Sequence, residues 1–197
     1  MINKRLTALI IIIALCISGC SIGHGDYTDT TISVSKKGVI RSTIIESFDK
    51  AYYNKDELLE QINKEIDSYC NLVTDDKACV LLKLDVDEQK AKAVIEYSKP
   101  EHYAAFNSVD FFYGTVKEAA EKGYNLDITY KNRDNEETIG YNEIKEYSEN
   151  KMVIMNEPIH VIFPSGILCS TANVDIESDN SAYISSESSG LAYIVLK

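Results

Sequence analysis

The clearest pattern in the chain is an apolar stripe of helical period over about residues 55–73. Charged residues fill the opposite side, and the apolar residues recur at three- and four-residue spacing: Leu58, Leu59, Ile62, Ile66, Tyr69, Cys70 and Val73. Asn54 is a good N-cap residue, and Glu57 three positions later completes a capping-box pattern. The pattern predicts one long amphipathic helix that buries one face against a sheet.

Strand signals surround this helix. Residues 32–35 and 39–48 contain β-branched residues in partial alternation, which predicts two antiparallel strands joined by a tight turn. After the helix, 79–86 and 90–97 predict a hairpin. Within 79–86, apolar residues alternate with polar ones: Leu82, Leu84 and Val86 with Lys83, Asp85 and Asp87. One face of this sheet is therefore expected to meet water and the other the helix.

The middle of the chain predicts short helices joined by loops rich in aromatic residues. Pro100 suits the first turn of a helix that runs to about Asn107. Thr115 and Glu118 form a capping-box pattern for a second helix, which Gly123 ends.

The last third of the chain returns to strand signals. They cover residues 151–155, 159–163, 167–171, 181–184 and 192–196. Pro158 and Pro164 bound the second of these segments and predict that it lies at a sheet edge, because proline cannot donate to a ladder.

The order of these elements predicts the fold class. Helices and strands occur in blocks without strict alternation, which favours α+β: a mainly antiparallel β-sheet packed against one long amphipathic helix (about 55–73), with additional short helices. Neither an internal repeat nor a further shift in composition divides residues 31–197, so we expect a single α+β domain there.

The N-terminal pattern differs from the rest of the chain. Lys4 and Arg5 precede an apolar run, Leu6 to Ile17, that only Thr7 interrupts. A membrane-spanning helix needs roughly 20 apolar residues, and this run is shorter. With the small residues that follow it, the segment predicts a secretory signal peptide over residues 1–19.

The segment Ile17-Ser18-Gly19-Cys20 resembles the lipobox of bacterial lipoproteins. The resemblance implies cleavage before Cys20 and a diacylglyceryl group on that cysteine, which anchors the chain at the extracytoplasmic face of the cell membrane. The alternative is a stray cysteine beside an ordinary signal peptide. Residues 20–30 lack apolar periodicity and are predicted to be the lipidated N-terminus and a flexible tether, in which His24 is a solvated linker residue.

Charge narrows the classes of partner. The chain carries a formal charge of −11, and loss of Lys4 and Arg5 leaves 18 basic residues against 31 acidic ones, which is −13. The basic residues are scattered singly, whereas nucleic-acid binders cluster them to neutralise phosphates. We therefore expect no nucleic-acid partner and a soluble, acidic domain.

Three cysteines remain after the leader and the lipidated position: Cys70, Cys79 and Cys169. At most one disulfide can form, and the pattern is unlike the dense framework of a small secreted scaffold. We predict that all three are small buried apolar groups. The alternative is a Cys70–Cys79 bridge between the end of the helix and the following strand.

Several segments of the chain resemble a group of uncharacterised lipoproteins from Gram-positive Firmicutes. They are Glu46–Lys50 with Tyr52-Tyr53, Tyr103–Asn107, Phe111–Thr115 and Gly190–Ile194. The resemblance covers most of the mature chain and implies a location and a shared domain. It implies no activity, cofactor or catalytic residue.

Motifs whose spacing encodes a mechanism are absent from the sequence: there is no phosphate-binding glycine loop, HExxH, CxxC or GxSxG. One nucleophile–base pair is nevertheless conceivable. His160 and Cys169 would lie on neighbouring strands if Pro164-Ser165-Gly166 formed the turn between them. The alternative is a strand histidine and a buried cysteine.

Two acidic segments invite a calcium interpretation. The first is an alternating run: Asp175, Glu177, Asp179 and Ser181. Asn180 replaces the turn glycine of a calcium loop, and Ser186 stands at the closing glutamate position with Glu187 one residue late, so a solvated loop is favoured. The same two interpretations apply to 134–137.

The thirteen tyrosines have two interpretations. Those in Phe111-Phe112-Tyr113 and Tyr52-Tyr53 could form an exposed recognition surface, because tyrosine has an apolar body and a polar tip. Packing in the core and at its rim is the favoured interpretation.

These patterns lead to a prediction of function. We expect a non-enzymatic, lipid-anchored domain that binds an envelope protein, with Cys20 as the lipidation site, no catalytic or metal residues and no cofactor. The alternatives are a small hydrolase or transferase using Cys169 and His160, and a lipoprotein that binds calcium or a small ligand.

Overall fold

The computed structural model describes residues 27–87, 89–185 and 190–197. Its elements follow in chain order: β1 (Thr31–Val34), β2 (Ile40–Ser47), α1 (Lys55–Val73), β3 (Cys79–Val86), β4 (Lys90–Tyr97), α2 (Pro100–Asn107), β5 (Phe111–Thr115), α3 (Val116–Glu121), β6 (Tyr130–Asn132), β7 (Thr138–Ile139), α4 (Tyr141–Ile144), β8 (Lys151–Met155), β9 (His160–Ile162), β10 (Ile167–Ser170), β11 (Val174–Ile176), β12 (Ser181–Ile184) and β13 (Ala192–Leu196). The content is that of an α+β fold, as predicted.

The strands form two sheets where the sequence predicted one. A seven-stranded sheet has the order β11-β12-β9-β1-β2-β4-β3, and a six-stranded sheet has the order β5-β8-β13-β10-β6-β7. All pairs are antiparallel except β1 with β9. The predicted antiparallel character is therefore confirmed, but periodicity within single strands could not assign each strand to its sheet.

The six-stranded sheet is buried on both faces. Along β8, Val153 and Met155 belong to one apolar core, whereas Met152 and Ile154 belong to another. β13 alternates in the same way. The first core lies between the two sheets and includes Ile32 of β1. The second lies on the far side of the six-stranded sheet, where α3 and α4 cover it.

Helix α1 has the bounds that the apolar stripe predicted, 55–73. Asn54 caps it by accepting hydrogen bonds from the backbone N–H groups of Asp56 and Glu57. Its fully buried side chains are Ile66 and Cys70, which join the first core beside β3. Helix α1 therefore does not cover the seven-stranded sheet alone, because the six-stranded sheet covers much of the first core.

Strand β3 departs from simple alternation. Its register against β4 shifts between Leu81 and Lys83, so Leu82 is an extra, bulged residue. Leu82 is exposed, whereas Leu81 packs against the first core. The prediction that Leu82 faces the helix was wrong, because a β-bulge moves the alternation by one residue.

Strand β9 lies inside the seven-stranded sheet, between β12 and β1, and the predicted edge position was wrong. Pro158 and Pro164 lie outside the strand, so neither removes a hydrogen bond from its ladder. Another difference is β5, at 111–115, where the sequence predicted an aromatic loop; it pairs with β8 along its whole length.

Candidate functional site

The predicted lipidation site lies outside the described residues. Cys20, the signal peptide, His24 and most of the tether fall in residues 1–26. Tyr27 is the first described residue, and its carbonyl accepts a hydrogen bond from Lys92 at 3.4 Å. Thr30 then exchanges two hydrogen bonds with the backbone of Ile45. The chain is therefore held against β2 before β1 begins.

His160 and Cys169 do not form a catalytic pair. β9 carries His160 in the seven-stranded sheet, whereas β10 carries Cys169 in the six-stranded sheet. The segment 163–166 passes between the sheets and is not a hairpin turn within one of them. Cys169 is fully buried in the second core, and burial raises the pKa of its thiol to about 12. A protonated, inaccessible thiol cannot act as a nucleophile.

His160 instead lies on the solvent-facing side of its sheet. Its Nδ1 is 2.8 Å from Oε1 of Glu177, and its ring is 4.9 Å from the ring of Tyr183, the opposite residue on β12. His160 and Glu177 line a groove of about 330 Å³, together with Tyr27 and Asp29. The groove is therefore next to the point where the chain reaches the domain.

The two acidic segments are paired with basic side chains of the protein. Arg133 Nη1 lies 2.6 Å from Asp179 and 3.4 Å from Asp134, and Lys197 Nζ lies 3.0 Å from Asp134. Glu177 points to His160, so the carboxylates of the first run diverge. Among the residues that the structure describes, no group of three or more His, Cys, Asp or Glu side chains is placed to hold a metal ion. The calcium interpretation is not supported there, while Ser186 and Glu187 lie outside the described residues.

The cysteines at the end of α1 and the start of β3 are neighbours. Cys70 and Cys79 are both buried free thiols with their sulfur atoms 4.0 Å apart. Burial, followed by the proximity of Cys70, raises the pKa of Cys79 to about 12. The arrangement agrees with the prediction of small buried groups and differs from the disulfide alternative.

A group of polar side chains next to these thiols was not predicted from the sequence. Tyr69 on α1 lies with its hydroxyl 3.0 Å from Nδ1 of His102 on α2. On the other side of that ring, Nε2 is buried and lies 3.7 Å from Asp75, too far for a hydrogen bond. Burial raises the pKa of Tyr69, which favours a phenol that donates to Nδ1. The group joins residues 33 positions apart, so no local pattern could reveal it.

The aromatic residues divide into buried and exposed groups. Phe111 and Phe112 are buried in different cores, in agreement with the favoured packing interpretation. By contrast, Tyr52 is 77% exposed, and its ring lies 5.0 Å from that of Tyr53, which contacts Phe48 at 4.9 Å. We call these three residues, in the connection between β2 and α1, the aromatic turn.

Comparison of the chain with protein-family models, with curated proteins and with solved structures finds no match. The resemblance to Firmicute lipoproteins therefore stays a prediction. Within the described ranges, no helix is both long and apolar enough to cross a bilayer.

Proposed function

We propose that this protein is a lipid-anchored domain at the extracytoplasmic face of the cell membrane, related to the Firmicute lipoproteins that it resembles, and that it acts by binding an envelope protein without catalysing a reaction. The observation that carries the proposal is the leader pattern, which ends in Ile17-Ser18-Gly19-Cys20. Two acyl chains on Cys20 form a lasting anchor, since each buried CH₂ contributes about 0.8 kcal/mol.

The position of the first contacts supports a domain held near the membrane. Six residues lie between Cys20 and Tyr27, and the seven steps from one to the other span at most about 25 Å when the chain is fully extended. The acidic charge of the domain opposes its close adsorption on anionic lipid and keeps it soluble. The anchor therefore restricts the domain to a thin layer where envelope proteins are its nearest partners.

The surface best suited to a protein partner is the edge formed by β3. This strand is eight residues long and terminates the seven-stranded sheet, so within residues 27–87, 89–185 and 190–197 no strand pairs with its outer edge. Val80 is 42% exposed, and the bulged Leu82 is exposed beside it. An extended segment of a partner could add to this edge through main-chain hydrogen bonds, with Val80 and Leu82 contacting its side chains.

The anchor is tested by comparing the native protein with a Cys20→Ser variant. We expect the native protein to be recovered with membranes and its N-terminal peptide to carry the mass of the diacylglyceryl group. The variant should lack that mass and leave the membrane fraction. A native protein that retains Met1, or that lacks acyl mass, would contradict the anchor.

The binding surface is tested by placing a photoreactive amino acid at Val80 in membrane-bound protein. The control is Ile176, which is 37% exposed on β11, the opposite edge strand of the same sheet. We expect a discrete cross-linked species from position 80 and not from position 176. The absence of a specific adduct from position 80, together with substrate turnover by the purified protein, would contradict a binding role.

A further inference from the structure

The aromatic turn lies outside both apolar cores, with Tyr52 and Tyr53 exposed and Phe48 half-buried. Tyr53 contacts Phe48 in a tilted geometry and Tyr52 edge-to-face. The backbone N–H of Tyr53 donates to the carbonyl of Lys50, and that of Phe48 donates to the carbonyl of Gln89, so the backbone of the turn is hydrogen-bonded at two points. An ordered group of exposed aromatic rings is typical of a surface that contacts another apolar phase.

The turn lies at the end of the sheet where the chain arrives from Cys20. Thr30 bonds to Ile45 of β2, which is three residues before Phe48 and therefore within about 10 Å of it, because Phe48 directly follows the end of that strand. Lys92, the residue opposite Ile45, bonds to Tyr27. Tyr27, Thr30 and the aromatic turn thus share one end of the seven-stranded sheet.

Helix α1 leads away from that end. It begins two residues after Tyr53 and ends beside the start of β3, as the 4.0 Å distance between the sulfur atoms of Cys70 and Cys79 shows. At 1.5 Å per residue, Leu72 lies about 25 Å along the helix from Lys55. An anchor within about 25 Å of Tyr27 therefore allows the aromatic turn to reach the bilayer, while Leu72 lies at the far end of the helix.

We propose that the aromatic turn lies in the headgroup layer of the phospholipid bilayer beside the acylated Cys20 and sets the orientation of the domain on the membrane. The proposal rests on the lipid anchor proposed above. Tyrosine is enriched at membrane interfaces because its ring enters the apolar boundary while its hydroxyl stays in water. The anchor supplies a high effective concentration, so this contact can be weak on its own.

Charge identifies the kind of lipid surface. The turn and its flanks contain Lys50 and Lys55 together with four carboxylates: Glu46, Asp49, Asp56 and Glu57. This mixed, slightly acidic surface gains nothing from anionic lipid and suits zwitterionic headgroups. The orientation that results turns the far end of α1, with the start of β3 next to it, away from the bilayer.

The protein contains no tryptophan, so a single Tyr52→Trp substitution creates a unique fluorescent probe in the turn. Leu72→Trp is the matched control, because Leu72 is 81% exposed on the same helix–turn unit. Both variants are purified in the acylated full-length form and reconstituted into phosphatidylcholine vesicles with and without brominated acyl chains. The mass of the Cys20 peptide is measured on each sample.

We expect emission from the Tyr52→Trp variant to shift to shorter wavelength on reconstitution and to be quenched by brominated lipid several-fold more than emission from the Leu72→Trp variant. Equal, water-like emission and equal quenching by acrylamide in both acylated variants would overturn the orientation proposed here and leave the anchor intact. Absence of the acyl mass from Cys20 would overturn both proposals.

Discussion

The seven-stranded sheet has one face in the apolar core and the other partly open to water, with Thr31 and Ser33 of β1 buried on that second face, whereas the middle strands of the six-stranded sheet are covered on both faces. In the first, buried Val161 alternates with the half-buried His160 and Ile162. In the second, four consecutive residues of β8, from Met152 to Met155, are buried. The difference determines where chemistry is accessible, because a side chain on a covered sheet cannot meet a solute.

Two ion pairs illustrate this difference in accessibility between the sheets. His160 with Glu177, and Arg41 with Glu96, lie on the open face of the seven-stranded sheet. Cys169 has the most nucleophilic type of side chain in the last third of the chain. It lies in the covered, six-stranded sheet. The six-stranded sheet nevertheless keeps exposed charges at Lys131 of β6 and Lys151 of β8.

The largest expected effect is found by comparing one substitution in each sheet. Ile154→Ala removes a side chain from the second core and should lower the free energy of unfolding by about 2–5 kcal/mol. Ile162→Ala, on the open face, should cost less than half as much because that side chain is only half-buried. Urea unfolding of both variants measures the difference. Equal losses would show that the open face is covered in solution.

A smaller effect is expected for Cys169. Cys169→Ser places a hydroxyl in an apolar core and should cost about 1–3 kcal/mol in unfolding free energy. Because burial raises the pKa of the native thiol to about 12, alkylation of Cys169 between pH 7 and 9 should be far slower in the folded protein than in the urea-unfolded protein at the same pH. Peptide mapping after timed alkylation checks this, and fast native labelling would contradict the placement.

On the open face, the ion pair between Arg41 and Glu96 has an N–O distance of 2.7 Å, and it links β2 to β4. Both side chains keep some solvent contact, so Glu96→Gln should cost no more than about 1 kcal/mol, and less at high salt. Thermal unfolding at low and high ionic strength measures this. A cost that is large and independent of salt would indicate that the pair is shielded from water.

The smallest expected effect concerns the cap of α3, the helix that helps to cover the six-stranded sheet. The Thr115 backbone N–H donates to Glu118 at 2.6 Å, and this hydrogen bond lowers the pKa of the Glu118 carboxyl below its ordinary value of about 4.5. Glu118→Gln keeps a hydrogen-bonding side chain, so the loss at neutral pH should be about 0.5 kcal/mol.

This contribution has a defined pH dependence. Because the pKa of Glu118 is lower in the folded state than in the unfolded chain, the stabilisation is fully present above about pH 4.5 and is lost as the pH falls through the lowered, folded value. The difference in unfolding free energy between the native protein and Glu118→Gln should therefore shrink towards zero in acid. A difference that stays constant between pH 7 and 3 would contradict the role of the charge.

Local signals predicted several elements with correct bounds. Helix α1, the hairpin of β3 and β4, and α2 starting at Pro100 all have the predicted residues. Their signals lie within a few residues of each other: a cap, a period or a proline. The bulge at Leu82 and the interior position of β9 were missed, because a bulge is defined by the partner strand and a sheet edge by all the other strands.

The candidate site shows the same limit. The aromatic pair Tyr52-Tyr53 was named from the sequence, but the same reasoning applied equally to Phe111-Phe112-Tyr113, and only packing distinguished the exposed group from the buried one. The pairing of His160 with Cys169 failed because two strands adjacent in the chain belong to different sheets. The contact of Tyr69 with His102 joins distant residues and had no local signal.

The sequence by itself determined the leader pattern, the acidic charge, the α+β class and the bounds of the strongest elements, because each depends on composition or on short-range periodicity. Only the tertiary structure decided that the strands form two sheets, that Cys169 is buried while His160 meets water, and that the aromatic turn lies at the same end of its sheet as Tyr27 and Thr30. These features depend on which strands pair, and strand pairing depends on the burial of all apolar faces at once.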